Sequence, residues 1–227
     1  ISTTTDVDLS GASFTDGIGF NFPQGTTLAP ASRLIIASNQ AAFEFRYGTG
    51  IATIAGEYTG QLRDSGEHLR FEAADTSTIA DFSYGDESPW PDSADGSGYS
   101  LVFSGTDYTS PLDWRTSTTF GGNPGSDDGQ SFTGTENELL AYALQGTPIP
   151  TIIGESFQMS FLQNLVSDDA LVIAQYSSDL VTWTPLTAPN LISRINQSDG
   201  TTLVIYQSPL PPSTNGVQFA RLLVIAR

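Results

Sequence analysis

Glycine or proline recurs about every ten residues along this chain of 227, which holds 22 glycines and 13 prolines. Both residues interrupt long helices, one by backbone freedom and the other by a missing N–H. What survives between them are short runs of alternating or wholly apolar character. Residues 34–37, 69–72, 79–82 and 99–103 are such runs in the first half. Residues 157–162, 170–176, 203–207 and 219–225 are their counterparts in the second. Short strands with turn residues between them predict an all-β fold of the sandwich or barrel type.

Two segments read as helices instead. Asn39 is placed to cap residues 40–47, and Gly48 to stop them. Thr135 followed three positions later by Glu138 forms a capping box. Leu139, Leu140, Tyr142, Ala143 and Leu144 then give an apolar face that Gly146 and Pro148 end. Between the halves, residues 116–134 carry Gly, Ser, Thr and Asp with almost no aliphatic side chain, which predicts a linker. The expected organisation is thus a domain over 1–115, a linker over 116–134, and a domain over 135–227 that opens with the second helix.

Net charge narrows the partners. The chain carries −17 at neutral pH, with eight arginines and no lysine. Phosphate backbones and anionic membrane surfaces need a basic face, so a nucleic-acid partner is not expected. No run of about 18 apolar residues is present to insert in a membrane. Charged residues are only 15% of the chain, so the polar surface falls to Ser, Thr, Asn, Gln and Gly, a composition that fits a secreted or cell-surface protein. There is no cysteine, which removes disulfides, thiolate metal sites and cysteine nucleophiles.

Chemistry finds little purchase. His68 is the one histidine, it sits in an expected hairpin, and no Gly-x-Ser-x-Gly elbow accompanies it. A phosphate loop of the Walker type needs a lysine. The 25 acids permit a glycosidase pair by count, but most lie in Gly- and Ser-rich loops. The sequence therefore predicts a non-enzymatic protein. One loop crowds oxygen ligands: Asp86, Glu87, Asp92 and Asp95 are nominated as a calcium set, the alternative being solvated turn acids that bond their own backbones.

Several motifs in the first half share one resemblance. Asp8-Leu9-Ser10-Gly11, Phe22-Pro23-Gln24-Gly25 and Arg33 to Asn39 are followed by Tyr47-Gly48, Gly56 to Leu62, Gly66-Glu67, Ser88-Pro89-Trp90-Pro91 and Trp114-Arg115. Their order and spacing resemble the lamin-tail domain of bacterial exported proteins. The resemblance implies an immunoglobulin-like β-sandwich over residues 6–115. That family usually opens with a strand or two before the Asp-Leu-Ser-Gly segment, and here only seven residues precede it. A missing strand would leave an unpaired edge at Asp8, Leu9, Ser10 and Phe14, open to a strand from a neighbouring chain.

In the second half, residues 138–148, the Tyr176 to Pro185 segment and residues 219–224 resemble a C-terminal β module of exported planctomycete and verrucomicrobial proteins. That likeness implies a small β-sandwich with Trp183 in its core and Asp179 capping a turn. The resulting expectation is a structural protein of the cell surface that forms homo-oligomers or fibres by strand exchange. The alternatives are an adhesive or glycan-binding module, which the three tryptophans and eight tyrosines would suit, and an accessory fragment of a larger exported protein.

Overall fold

The structure, a computed structural model, describes residues 4–130, 132–154, 156–209 and 218–226. The fold is all-β with two short α-helices. Two compact units divide the chain: residues 1–85 with 123–127, and residues 86–122 with 128–227.

The first unit contains β1 (Val7–Asp8), β2 (Ser13–Asp16), β3 (Ile18–Asn21), β4 (Thr27–Leu28), β5 (Leu34–Ala37), α1 (Gln40–Tyr47), β6 (Thr53–Glu57), β7 (Thr59–Gly60), β8 (Glu67–Glu72) and β9 (Thr78–Tyr84). Five of these strands form one sheet in the order β7-β3-β2-β8-β9. β5 and β6 run parallel, and α1 makes the crossover that a parallel pair requires. Asn39 caps α1 through its side chain, which accepts from the Ala42 N–H at 2.7 Å, and Gly48 ends it with φ 97°. The core gathers Ala12, Phe20 and Phe22 with Leu9, Phe14, Leu34, Ile36, Ala55, Tyr58 and Phe71 around them. Gly66 turns the chain into β8 at φ 105°, where any Cβ would collide with the Tyr84 carbonyl oxygen.

The open edge expected in this unit is closed. β2 is an interior strand, with Phe14 opposite Phe20 on β3 and Phe71 on β8. The Phe14 and Phe71 rings stack at 4.7 Å. The Leu9 N–H donates to the Thr26 carbonyl at 2.9 Å, and β1 carries Asp8 opposite Thr27. The Ser10 hydroxyl accepts from Gly25 N–H, and Asp8 accepts from Ser10 N–H, as in an Asx turn. Asp8, Leu9, Ser10 and Phe14 are therefore engaged within their own chain. The expected strand deficit does not arise, because β3 and β8 flank β2.

The second unit holds β10 (Leu101–Phe103), β11 (Trp114–Thr116), α2 (Glu136–Ala143), β12 (Leu144–Ile153), β13 (Ser156–Asn164), β14 (Ala170–Ser177), β15 (Thr184–Pro185), β16 (Leu191–Asn196), β17 (Thr201–Gln207) and β18 (Phe219–Ala226). A four-stranded sheet, β12-β13-β17-β16, faces a three-stranded one, β15-β14-β18. Met159, Phe161, Val204 and Tyr206 from the first meet Ala170 and Ala174 from the second in one buried core. The expected capping box is present: Thr135 and Glu138 bond each other's backbones. Leu139 and Ala143 of α2 enter the core, and the helix packs against β12, β14 and β18.

Residues 86–115, expected in the first domain, group with this second unit. Within the stretch expected as a linker over 116–134, residues 116–118 and Asp128 are held by internal bonds. Thr116 and Ser117 are fully buried, and Ser117 N–H donates to the Ser100 carbonyl at 2.8 Å. The Asp128 carboxylate accepts from Thr118 N–H, Thr118 hydroxyl and Arg115. Polar side chains made this stretch look loose. They are spent on bonds that tie it down.

Candidate functional site

The nominated calcium ligands occupy one loop but are not assembled. The Glu87 carbonyl accepts from Trp90 N–H, Asp92 opens a 3₁₀ turn (Asp92–Ala94), and Asp95 N–H donates to the Asp92 carbonyl at 3.1 Å. Among the described residues, no three His, Cys, Asp or Glu side chains gather as a metal ion would require. Trp90 packs on Trp114 with ring centres 5.8 Å apart, which accounts for its aromatic bulk in this loop.

His68 is bound on both sides. Its Nδ1 lies 2.8 Å from Asp16 Oδ2 and its Nε2 2.7 Å from Asp81 Oδ1. A carboxylate only accepts, so both contacts are satisfied together when both ring nitrogens carry protons. Asp16, then Asp81, accordingly raise the imidazole above its ordinary value. Arg70 extends the row, donating to Glu72 at 2.7 Å and to Asp81 at 3.2 Å. The arrangement is a charge ladder on an exposed sheet face, with no nucleophile in it.

The most distinctive surface lies in the second unit. Along β13, alternate residues Phe157, Met159, Phe161 and Gln163 point inward, so the core changes from apolar at one end to polar at the other. The apolar end opens as a groove of about 450 Å³, lined by Pro148, Pro150, Phe157, Met159, Leu180 and Trp183 with the start of β18. β12 and β18 are edge strands of the two sheets. Each has a row of backbone groups facing away from its one partner. Pro148 and Pro150 remove two donors from β12. β18 holds no proline and a single charge, Arg221.

The rim of the groove is a tight turn. Asp179 accepts from the N–H groups of Thr182 and Val181 and bonds the Ser177 hydroxyl, which holds its carboxyl down at about 2. This is the turn cap expected for Asp179. Within this turn Leu180 has a left-handed backbone, φ 63°, and the residue is 55% exposed; the neighbouring Val181 is 82% exposed. Trp183, expected in the core, is only half-buried: its indole N–H donates to the Leu180 carbonyl at 3.3 Å, and the Arg221 guanidinium lies 4.1 Å over its ring. Arg221 Nε donates to Gln175 at 2.8 Å. The sequence signal for this rim was the Leu-Val pair inside a turn opened by Asp179, a place where polar residues are the norm.

The chain matches no protein-family model, no curated protein and no solved structure.

Proposed function

We propose that this chain is a non-enzymatic structural protein of the cell exterior that assembles by taking an extended apolar segment of a second copy into the groove between β12 and β18. The observation that carries the proposal is Leu180. A large apolar side chain is held at a groove rim in a backbone conformation that Gly or Asn adopts more cheaply, by about 1 kcal/mol. Neither burial nor local strain favours leucine there; contact with a partner does. An apolar floor between two sheet edges is the shape that an added strand fills, with main-chain bonds to the edge and side chains in the groove.

A second copy suits the groove's charge. Arg221 makes no ion pair among the described residues, so one carboxylate of the entering segment can meet it, a local contact set against the general repulsion of two chains of net −17. An exterior location is supported by the Ser- and Thr-rich, weakly charged composition. The test is light scattering on the full chain over a range of concentrations. Masses at whole multiples of the chain support assembly; a single-chain mass at every concentration refutes it.

A further inference from the structure

The four-stranded sheet of the second unit turns one face to the core and the other away from it. Phe157, Met159 and Phe161 of β13 pack inward, so Gln158, Ser160 and Leu162 point outward. Register carries that outward face across the sheet. Leu162 stands opposite Leu203 on β17, and Leu203 opposite Ile195 on β16. One row along, Ser160 stands opposite Ile149 on β12 and Ile205 on β17. Ile149, Leu162, Ile195, Leu203 and Ile205 thus share one apolar patch on the side remote from the core. Ile149 is 62% exposed and Ile195 41%. Where β12 bulges between Gln145 and Ile149, the patch dips into a hollow of about 270 Å³.

No charge lies on the patch. β12, β13, β16 and β17 carry one charged residue between them, Arg194, which stands opposite the core residue Val204 and is buried. The whole chain holds 25 acidic residues and a net charge of −17. Two such chains repel wherever their acids meet, so they approach at least cost through this sheet. A cationic partner would be drawn to the acids elsewhere. The next row outward is polar and neutral: Thr151, Gln158 and Gln207, with Gln158 donating to Gln207 at 3.1 Å. An apolar centre depleted of charge, inside a polar rim, is the make-up of a protein interface.

Area decides how such a face is used. Four strands about 4.8 Å apart and about seven residues long cover about 400 Å². A stable pair of free proteins buries about 800 Å² on each side. One face against another is therefore too small to hold two single chains. In an assembly built through the groove the face recurs once per chain, and repeated weak contacts strengthen attachment by about 10²-fold or more. We infer that the outer face of β12-β13-β17-β16 packs against the same face of a second copy and joins groove-built assemblies side by side. The inference rests on assembly through the groove and adds a second surface to it. A face that meets its own kind closes after two, so the assemblies pair and go no further. Sheets stacked this way lie about 10 Å apart with their side chains interdigitated, as the hollow beside Ile149 allows.

The experiment is electron microscopy of the assembled full chain, wild type beside Ile195→Glu and Leu203→Gln, with a melting curve for each to establish folding. Wild-type assemblies are expected as paired layers. Ile195→Glu is expected to give single layers of about half that width, because an isologous contact sets the new charge against its own copy. Leu203→Gln adds no charge and is expected to leave fewer layers paired. Single layers in the wild type, or pairing unchanged in both variants, overturn the inference and leave the groove reading standing. Chains that never assemble overturn both. Wild-type binding to phosphatidylcholine vesicles that Ile195→Glu abolishes would give the face to a lipid surface and overturn the inference as well.

Discussion

Arg115 and Asp168, 53 positions apart, form a two-toothed ion pair in which Nε and Nη2 of the arginine donate to the two oxygens of the aspartate. The third guanidinium nitrogen donates to Asp128 and to the Thr116 carbonyl. The arginine is thus the point where β11, the following loop and the turn before β14 are fastened together. Removing Asp168 takes two charge-assisted bonds from Arg115 and leaves it paired with Asp128 alone, so Asp168→Ala is expected to lower stability by about 2 kcal/mol. Chemical denaturation measures it. A double-mutant cycle with Arg115→Ala is expected to show strong coupling; additive single effects would mean that the pair is decorative.

His68 makes stability depend on pH in a stated direction. Its folded pKa is raised above 6.5 by Asp16 and Asp81. A group whose pKa is raised on folding stabilises fully below its unfolded value, about 6.5, and loses that contribution as pH rises through the folded value. The melting temperature is expected to fall as pH climbs above about 6.5, and His68→Gln is expected to flatten that slope. Parallel curves for the two proteins across this range would show that the ladder adds no pH-linked stability.

Assembly through the groove sets two strongly acidic chains side by side. Their mutual repulsion acts over about 8–10 Å at moderate salt and shortens as salt rises. Self-association is therefore expected to strengthen with sodium chloride, as gel filtration at several salt concentrations reads directly. Weaker association in high salt would point to a contact driven by opposite charges instead.

Local chemistry was legible in the sequence and distant pairing was not. The Asn39 cap, the Gly48 stop and the Thr135–Glu138 box each act within a few residues, and each stands where the sequence set it. The all-β class followed from the spacing of turn residues. Phe14 looked like an edge residue because only seven residues precede Asp8. Its second neighbour, Phe71, lies far along the chain, where no local pattern announces it. Residues 116–134 looked like a linker because polarity marks solvent exposure, whereas here Asp128 and Ser117 spend their polar groups internally. The four loop acids are close in sequence and still do not converge, since their loop is organised by its own backbone bonds. The groove was half legible. Trp183 and Asp179 drew notice, but the Leu180 backbone and the contribution of β12 appear only once the two sheets are stacked.

The sharpest test of the groove is sedimentation velocity on the wild-type chain and Leu180→Asn at equal concentration. Asparagine tolerates the left-handed backbone and removes the exposed apolar group, so the variant is expected to fold at least as stably. The account predicts that the wild type sediments as an oligomer and that Leu180→Asn shifts to a single chain with its melting temperature unchanged or raised. Identical sedimentation of the two proteins, whether both assembled or both monomeric, would contradict it.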